Sequence, residues 1–346
     1  MTHLAGKLAL DIQAGAPNNG RGQDNVGVVK KMQVGRDTYP YISPQAVRRW
    51  PRDSLPTTEP LSPVLREGQG KKQQAYTKGR PDLYIDDDLF GYMVAVKDKD
   101  SSCQRDTVRA TGTFVSVTPQ RPTSDFGTMT RGFNANENPV IHEHEFYTAV
   151  CAGDLNLDLP RIGTFETDGQ GLRIALPPQA AEEATAAGAT ATTFRGLTPL
   201  TLGLPERRRR AALILRTLAA LRGGAKPAAH YGDRTPAFIL LAPKKGGVNP
   251  FTRVLSNKDG KPSFAADTLT EEIAAWRDEL DGCVRIGWAP GFLGDQRDRA
   301  RRDLADLITS GTVTIDHPRT VLNTVAQEIE DGTHDHWFQD TQDAKA

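Results

Sequence analysis

The chain has 346 residues, and its 43 Lys and Arg balance 43 Asp and Glu, which excludes a protein that coats nucleic acid over its whole surface but leaves room for a local basic groove. Apolar residues make up 38% and mean hydropathy is −0.49, a polar chain long enough for one large core. No run reaches the roughly 18 apolar residues of a membrane span, the start Met-Thr-His-Leu-Ala-Gly-Lys is not a signal peptide, and Cys103, Cys151 and Cys283 have no ligand or disulfide spacing, so a cytoplasmic protein with reduced thiols is expected.

Leu4, Leu8, Leu10 and Ile12 alternate with Lys7, Ala9 and Asp11, which predicts a half-buried first strand. Residues 13–25 form a loop rich in Gly and Asn, with Asn19 and Arg21 in it; it can lie close to a phosphate chain or be a flexible connection. Val26 to Val34 reads as a second strand. Ser43 is a good N-cap and Pro44 a good first helical residue, while Pro51 limits the helix to about two turns. Ala46, Val47 and Trp50 make its apolar side, beside Gln45, Arg48, Arg49 and, past the expected end, Arg52. Clustered guanidinium groups next to an aromatic suit phosphate contacts, or a solvated helix whose arginines pair with acids.

Residues 54–82, polar and rich in Pro, Ser and Gly, with Lys71, Lys72, Lys78 and Arg80, are expected to project as an insertion. Asp86-Asp87-Asp88 are three consecutive carboxylates, badly placed to converge on a cation, and are read as helix caps. Arg105 to Val117 reads as one strand, with Arg105 and Arg109 its basic points. Strand-like segments then flank a Gly-, Asn- and Thr-rich stretch at 118–139 that holds Arg121, Phe126, Met129, Arg131 and Phe133, the pattern of an extended hairpin. His142 and His144 share one strand face and Glu143 and Glu145 the other; with no third ligand nearby, a solvated or interfacial strand is expected, not a metal centre.

Pro205 to Leu221 is the strongest helix, stopped by Gly223-Gly224. Arg207 to Arg210 oppose its macrodipole, which fits either a partner or nearby acids. Lys226 and a strand at Ala237 to Ala242 follow; the glycine loop lacks Walker spacing and comes after a helix. Helices near Leu269–Leu280, Gln296–Ile308 and Thr320–Ile329, a strand at Val284–Trp288 and a polar tail at 335–346 complete a single domain, 1–346. Neither a cofactor nor a metal is expected, and the chain reads as a non-enzyme.

The first strand with its Gly/Asn loop, the run Thr38 to Asp53, Tyr84 to Tyr92, His142 to Phe165, and Leu221-Arg-Gly-Gly-Ala-Lys226 together resemble, in that order, the DevR-type backbone subunit of class 1 CRISPR effector complexes. This is the Cas-seven group of RAMP proteins, here of the type I Cascade kind and subtype I-B. The resemblance implies an α+β fold: a ferredoxin-like, RRM-type core carrying finger (54–82) and thumb (118–139) insertions. It also implies a subunit that binds CRISPR RNA and stacks with further copies of itself and other Cascade subunits. Such a subunit presents the guide for pairing with target DNA in antiviral defence or RNA-guided targeting. The RNA-binding positions it implies are Asn19, Arg21, Gln45, Arg48, Arg49, Arg52, Phe126, Met129, Arg131, Gly223, Gly224 and Lys226. The competing reading is a metal-dependent RAMP endoribonuclease cutting guide-paired RNA, for which Asp24 in the loop or Asp11 on the strand would have to serve.

Overall fold

The computed structural model describes residues 1–22, 26–70, 73–96, 101–129, 132, 140–167, 173–225 and 230–340. Its principal strands are β1 (Thr2–Gly15), β2 (Lys31–Val34), β3 (Asp37–Ile42), β4 (Phe114–Ser116), β5 (Thr123–Met129), β6 (Val140–Asp158), β7 (Phe238–Lys245), β8 (Val284–Trp288) and β9 (Val313–Asp316). The helices are α1 (Pro44–Ser54), α2 (Ile85–Phe90), α3 (Pro178–Ala186), α4 (Leu204–Ala219), α5 (Ala266–Ala275), α6 (Gln296–Asp303), α7 (Ala305–Thr309) and α8 (Pro318–Glu330).

The main sheet runs β9-β8-β7-β1-β6-β4-β3-β2, and β5 and the short strands Val26–Gly27 and Arg109–Thr111 also pair with β6. β1 is central, antiparallel to both β6 and β7. Following β1, α1, the strands at 109–116, β6, α4 and β7 gives β-α-β-β-α-β with the spatial order of a ferredoxin-like core, as expected.

Alternation along β7 divides the core. Ile239 and Leu241 join Val47, Trp50, Ile214, Leu215, Leu218 and Leu322 under α1, α4 and α8. Phe238, Leu240 and Ala242 face Phe251, Leu269, Ile273 and Trp288 on the other side. Each large apolar side chain so enclosed contributes roughly 1.5–3 kcal/mol. Because residues 250–312 cover the face a ferredoxin-like sheet would leave open, β1 is enclosed on both sides from Thr2 to Leu10 and is not the half-buried strand expected. No helix among the described residues is long and apolar enough to cross a membrane.

Several local expectations are corrected. Pro51 does not end α1: the helix continues to Ser54, since the Pro51 carbonyl still accepts the Leu55 N–H at 2.9 Å and only one helical bond is lost. Arg105 to Val117 is broken into separate short strands, and Arg105 is buried, not a basic strand point. The three aspartates are not caps. The N-cap of α2 is Tyr84, without a side-chain bond, and the carboxylates tie neighbouring loops down.

Asp86 accepts the Ser62 N–H and Asp87 the Arg80 N–H, each at 3.0 Å, which pins both ends of the inserted ribbon Val64–Glu67/Gln74–Thr77. Asp88 is wholly buried between Arg105 (2.5 Å) and Arg210 (2.8 Å) and also accepts the Gly163 N–H. The run Arg207 to Arg210 is likewise spent inside the molecule. Arg207 donates to the carbonyls of Pro160, Ile162 and Phe338, Arg208 pairs with Asp335, Arg209 with Glu59 and Glu206, and Arg210 with Asp88 and Glu206. Acids from distant segments, invisible in a local window, claim Arg208, Arg209 and Arg210, and backbone carbonyls claim Arg207. Trp337 and Phe338 are buried too, so the expected polar tail opens with a packed 3₁₀ turn.

Candidate nucleic-acid interface

Three segments far apart in sequence are stitched together beside β1. The loop after β1 is tied to α1 by Asn18, whose Oδ1 accepts the Ser43 N–H at 2.9 Å. Gly20 N–H donates to Val28 at 2.8 Å and Asn19 bridges to Val29, so residues 18–20 of this loop are held against 28–30 rather than slack. Ser43 caps α1 as expected, its Oγ accepting the Ala46 N–H. At the other end Ser54 Oγ accepts the Arg222 N–H at 2.8 Å, which fastens the segment after α4 to α1. The Ala225 N–H donates to Pro17 at 3.1 Å and closes the ring of contacts.

Gly223 and Gly224 sit at this junction with φ of 132° and 106°. A Cβ at 223 would lie 2.7 Å from the Trp50 indole, and one at 224 would lie 3.1 Å from Arg234 Nε. Glycine is therefore required for both conformation and space, and the backbone here comes unusually near the surface of α1. Asn19, Arg21, Gln45, Arg48, Arg49, Gly223 and Gly224 all lie on these joined segments, with Arg21, Gln45 and Arg49 exposed. Arg49 pairs with Asp53 at 2.8 Å, both open to solvent, and that hydrogen bond raises its pKa. Arg48 is partly exposed and has no acidic partner among the described residues.

Arg52 is placed differently. It turns inward, 3.6 Å from Asp86 and with its guanidinium 4.8 Å above the Phe90 ring, and burial lowers its pKa. Lys226 lies outside the described residues.

The 118–139 stretch contributes β5, which pairs antiparallel with the start of β6. In that register Phe126, Thr128, Ile141 and Glu143 share one face, on which Phe126 is 68% and Ile141 58% exposed. On the opposite face His144 lies 3.7 Å from Asp125, and its ring packs against His230 at 4.8 Å, just past the glycine loop. The hairpin base thus adjoins the three-segment junction. Arg131, Phe133 and the Met129 side chain lie outside the described residues, as does Asp24. Among the described residues no three His, Cys, Asp or Glu side chains are grouped to hold a metal ion.

No family model and no curated protein matches this chain. Solved structures do. A chain of a "CRISPR RNA-guided surveillance complex" superposes with a TM-score of 0.54 at 13% identity, covering 94% of this chain and 98% of that chain. A chain of a "CRISPR RNA-guided surveillance complex, pre-nicking" gives 0.55 at 10% identity, covering 95% of this chain and 99% of the other. This chain shares their fold.

The coverage is nearly complete in both directions, so the surveillance-complex fold includes the last ninety or so residues, where the sequence resemblance thins. One residue that shapes the candidate interface was not singled out from sequence: Ser54, which fastens α1 to the segment before the glycine loop. Arg109, read as a basic point of a strand, is instead fully buried behind α1. A serine at a helix end is too common to be a signal by itself.

Proposed function

We propose that this chain is a CRISPR RNA-binding backbone subunit, of the DevR-type (Cas-seven) kind and subtype I-B, that works as a scaffold and not as an enzyme. The observation that carries the reading is the junction of loop, α1 and glycine loop, which gathers the exposed Arg49, Arg48 with no acidic partner among the described residues, and close-approach backbone in one place. Guanidinium groups and glycine amides grip phosphates without reading bases, which suits a protein that leaves sequence recognition to base pairing with target DNA. Exposed Phe126 and Ile141 on the β5–β6 pair supply an apolar wedge for RNA held by the next copy. A head-to-tail contact of that kind builds an open helical array whose length follows the RNA and the other Cascade subunits. The site of action is the cytoplasm.

The test is co-expression with a CRISPR array, reading the 260/280 absorbance ratio and a denaturing gel. The reading requires large particles carrying RNA of discrete length; a monomer free of nucleic acid would refute it.

A further inference from the structure

Arg109 belongs to the short strand Arg109–Thr111 and pairs with Leu157 of β6. Cross-strand partners share a face, and Leu157 lies in the core under α1 and α4, so Arg109 points at the underside of α1. The side chain is 1% exposed. Its Nε and Nη1 have no hydrogen-bond partner, and no carboxylate pairs with it among the described residues.

Its neighbours bring no counter-charge. The guanidinium stands over the Phe90 ring at 5.9 Å, a cation–π contact it shares with the closer Arg52 at 4.8 Å. Burial first, and then the charge of Arg48, lower its pKa to about 10. Two other enclosed arginines are well satisfied: Arg105 reaches Asp88 and three carbonyls, and Arg210 reaches two carboxylates and two carbonyls. Arg234, 3% exposed, also leaves its Nε unpartnered but donates from Nη1 to the Asp233 carbonyl. A buried cation without a counter-charge destabilises the free protein, and an apolar residue of similar shape would serve the core better.

We propose that Arg109 is a phosphate-positioning residue: a buried positive charge left uncompensated by the protein so that a phosphate seated at Arg48 supplies the missing negative charge. That this phosphate belongs to RNA rests on the proposed function; the anion preference of the seat does not. Arg48 faces the ligand, and Arg109 behind it supplies a field that solvent cannot screen.

The experiment uses the full chain stripped of nucleic acid, as wild type, Arg109→Met and Arg109→Lys. Melting is followed with inorganic pyrophosphate against sodium chloride of equal ionic strength, and binding of a dye-labelled oligouridine is titrated over a salt series. Arg109→Met should melt at or above the wild-type temperature without anion and lose the pyrophosphate-specific rise. Its oligouridine affinity should fall at least about fivefold with a shallower salt slope, and Arg109→Lys should recover part of both. A wild type that gains from pyrophosphate but binds no RNA would keep the seat and overturn only the guide reading. Wild-type affinity, salt slope and pyrophosphate response in Arg109→Met would overturn the proposal. Should Arg109→Met fail to fold, a wild type that pyrophosphate stabilises no more than chloride would also overturn it.

Discussion

Gly223 lies against Trp50 so closely that a methyl group at 223 would come within 2.7 Å of the indole, at a backbone φ of 132° that side chains rarely adopt. This packing, with the Ser54–Arg222 hydrogen bond, makes the glycine loop and α1 one rigid surface.

Gly223→Ala should therefore lower stability by about 1–3 kcal/mol, combining strain with overpacking. Gly188→Ala is the control: φ there is 101°, but nothing lies within 4 Å of the added methyl. Melting curves should show the larger loss at 223, and oligouridine affinity should drop only there. Equal effects at the two positions would show that the Trp50 contact carries nothing.

The arginines of α1 should separate by role. Arg49 and Asp53 are 68% and 40% exposed, so losing their pair costs less than about 1 kcal/mol. Arg48→Ala with Arg49→Ala should leave melting nearly unchanged while weakening RNA binding for every guide sequence and flattening its salt dependence. Arg52→Ala should do the reverse, lowering the melting temperature more than the affinity, because it leaves Asp86 without its nearest cation. An effect confined to particular guide sequences would indicate base readout instead.

Asp88→Ala should be the most damaging single change among the aspartates. It removes the one carboxylate shared by the buried Arg105 and Arg210, leaving them Glu166 at 3.9 Å and Glu206 at 2.8 Å, at about 3–5 kcal/mol. Denaturant unfolding measures this directly; a midpoint close to wild type would show that the two arginines find other partners.

Phe126→Ala should leave the melting temperature of the free protein in place, since the side chain is 68% exposed. Ordered assembly on a guide should weaken by about 1–3 kcal/mol per site if the ring stacks or wedges against nucleotides. Intact assembly with a lowered melting temperature would assign the residue to the fold.

The ferredoxin-like core was legible because its elements carry strong local signals. Leu4 to Ile12 alternate, Ser43-Pro44 starts a helix, and Leu213 to Leu221 repeat at helical spacing before Gly223. What was not legible depends on distant partners. Nothing local to Arg207–Arg210 shows that Glu59, Asp88 and Asp335 will claim three of them and backbone carbonyls the fourth, so their charge looks available when it is not. The same holds for Arg52, whose neighbours in sequence are basic but whose neighbours in space are Asp86 and Phe90. Burial of β1 on both faces arises from residues 250–312, whose own pattern does not say which surface they cover.

The central claim, that copies of this chain array along an RNA backbone without reading its sequence, is tested most directly by native mass spectrometry on guides of graded length. Particles should gain one subunit for each fixed increment of nucleotides, whatever the sequence of the added stretch. A particle mass that stays constant as the guide lengthens, or that depends on the added sequence, would contradict it.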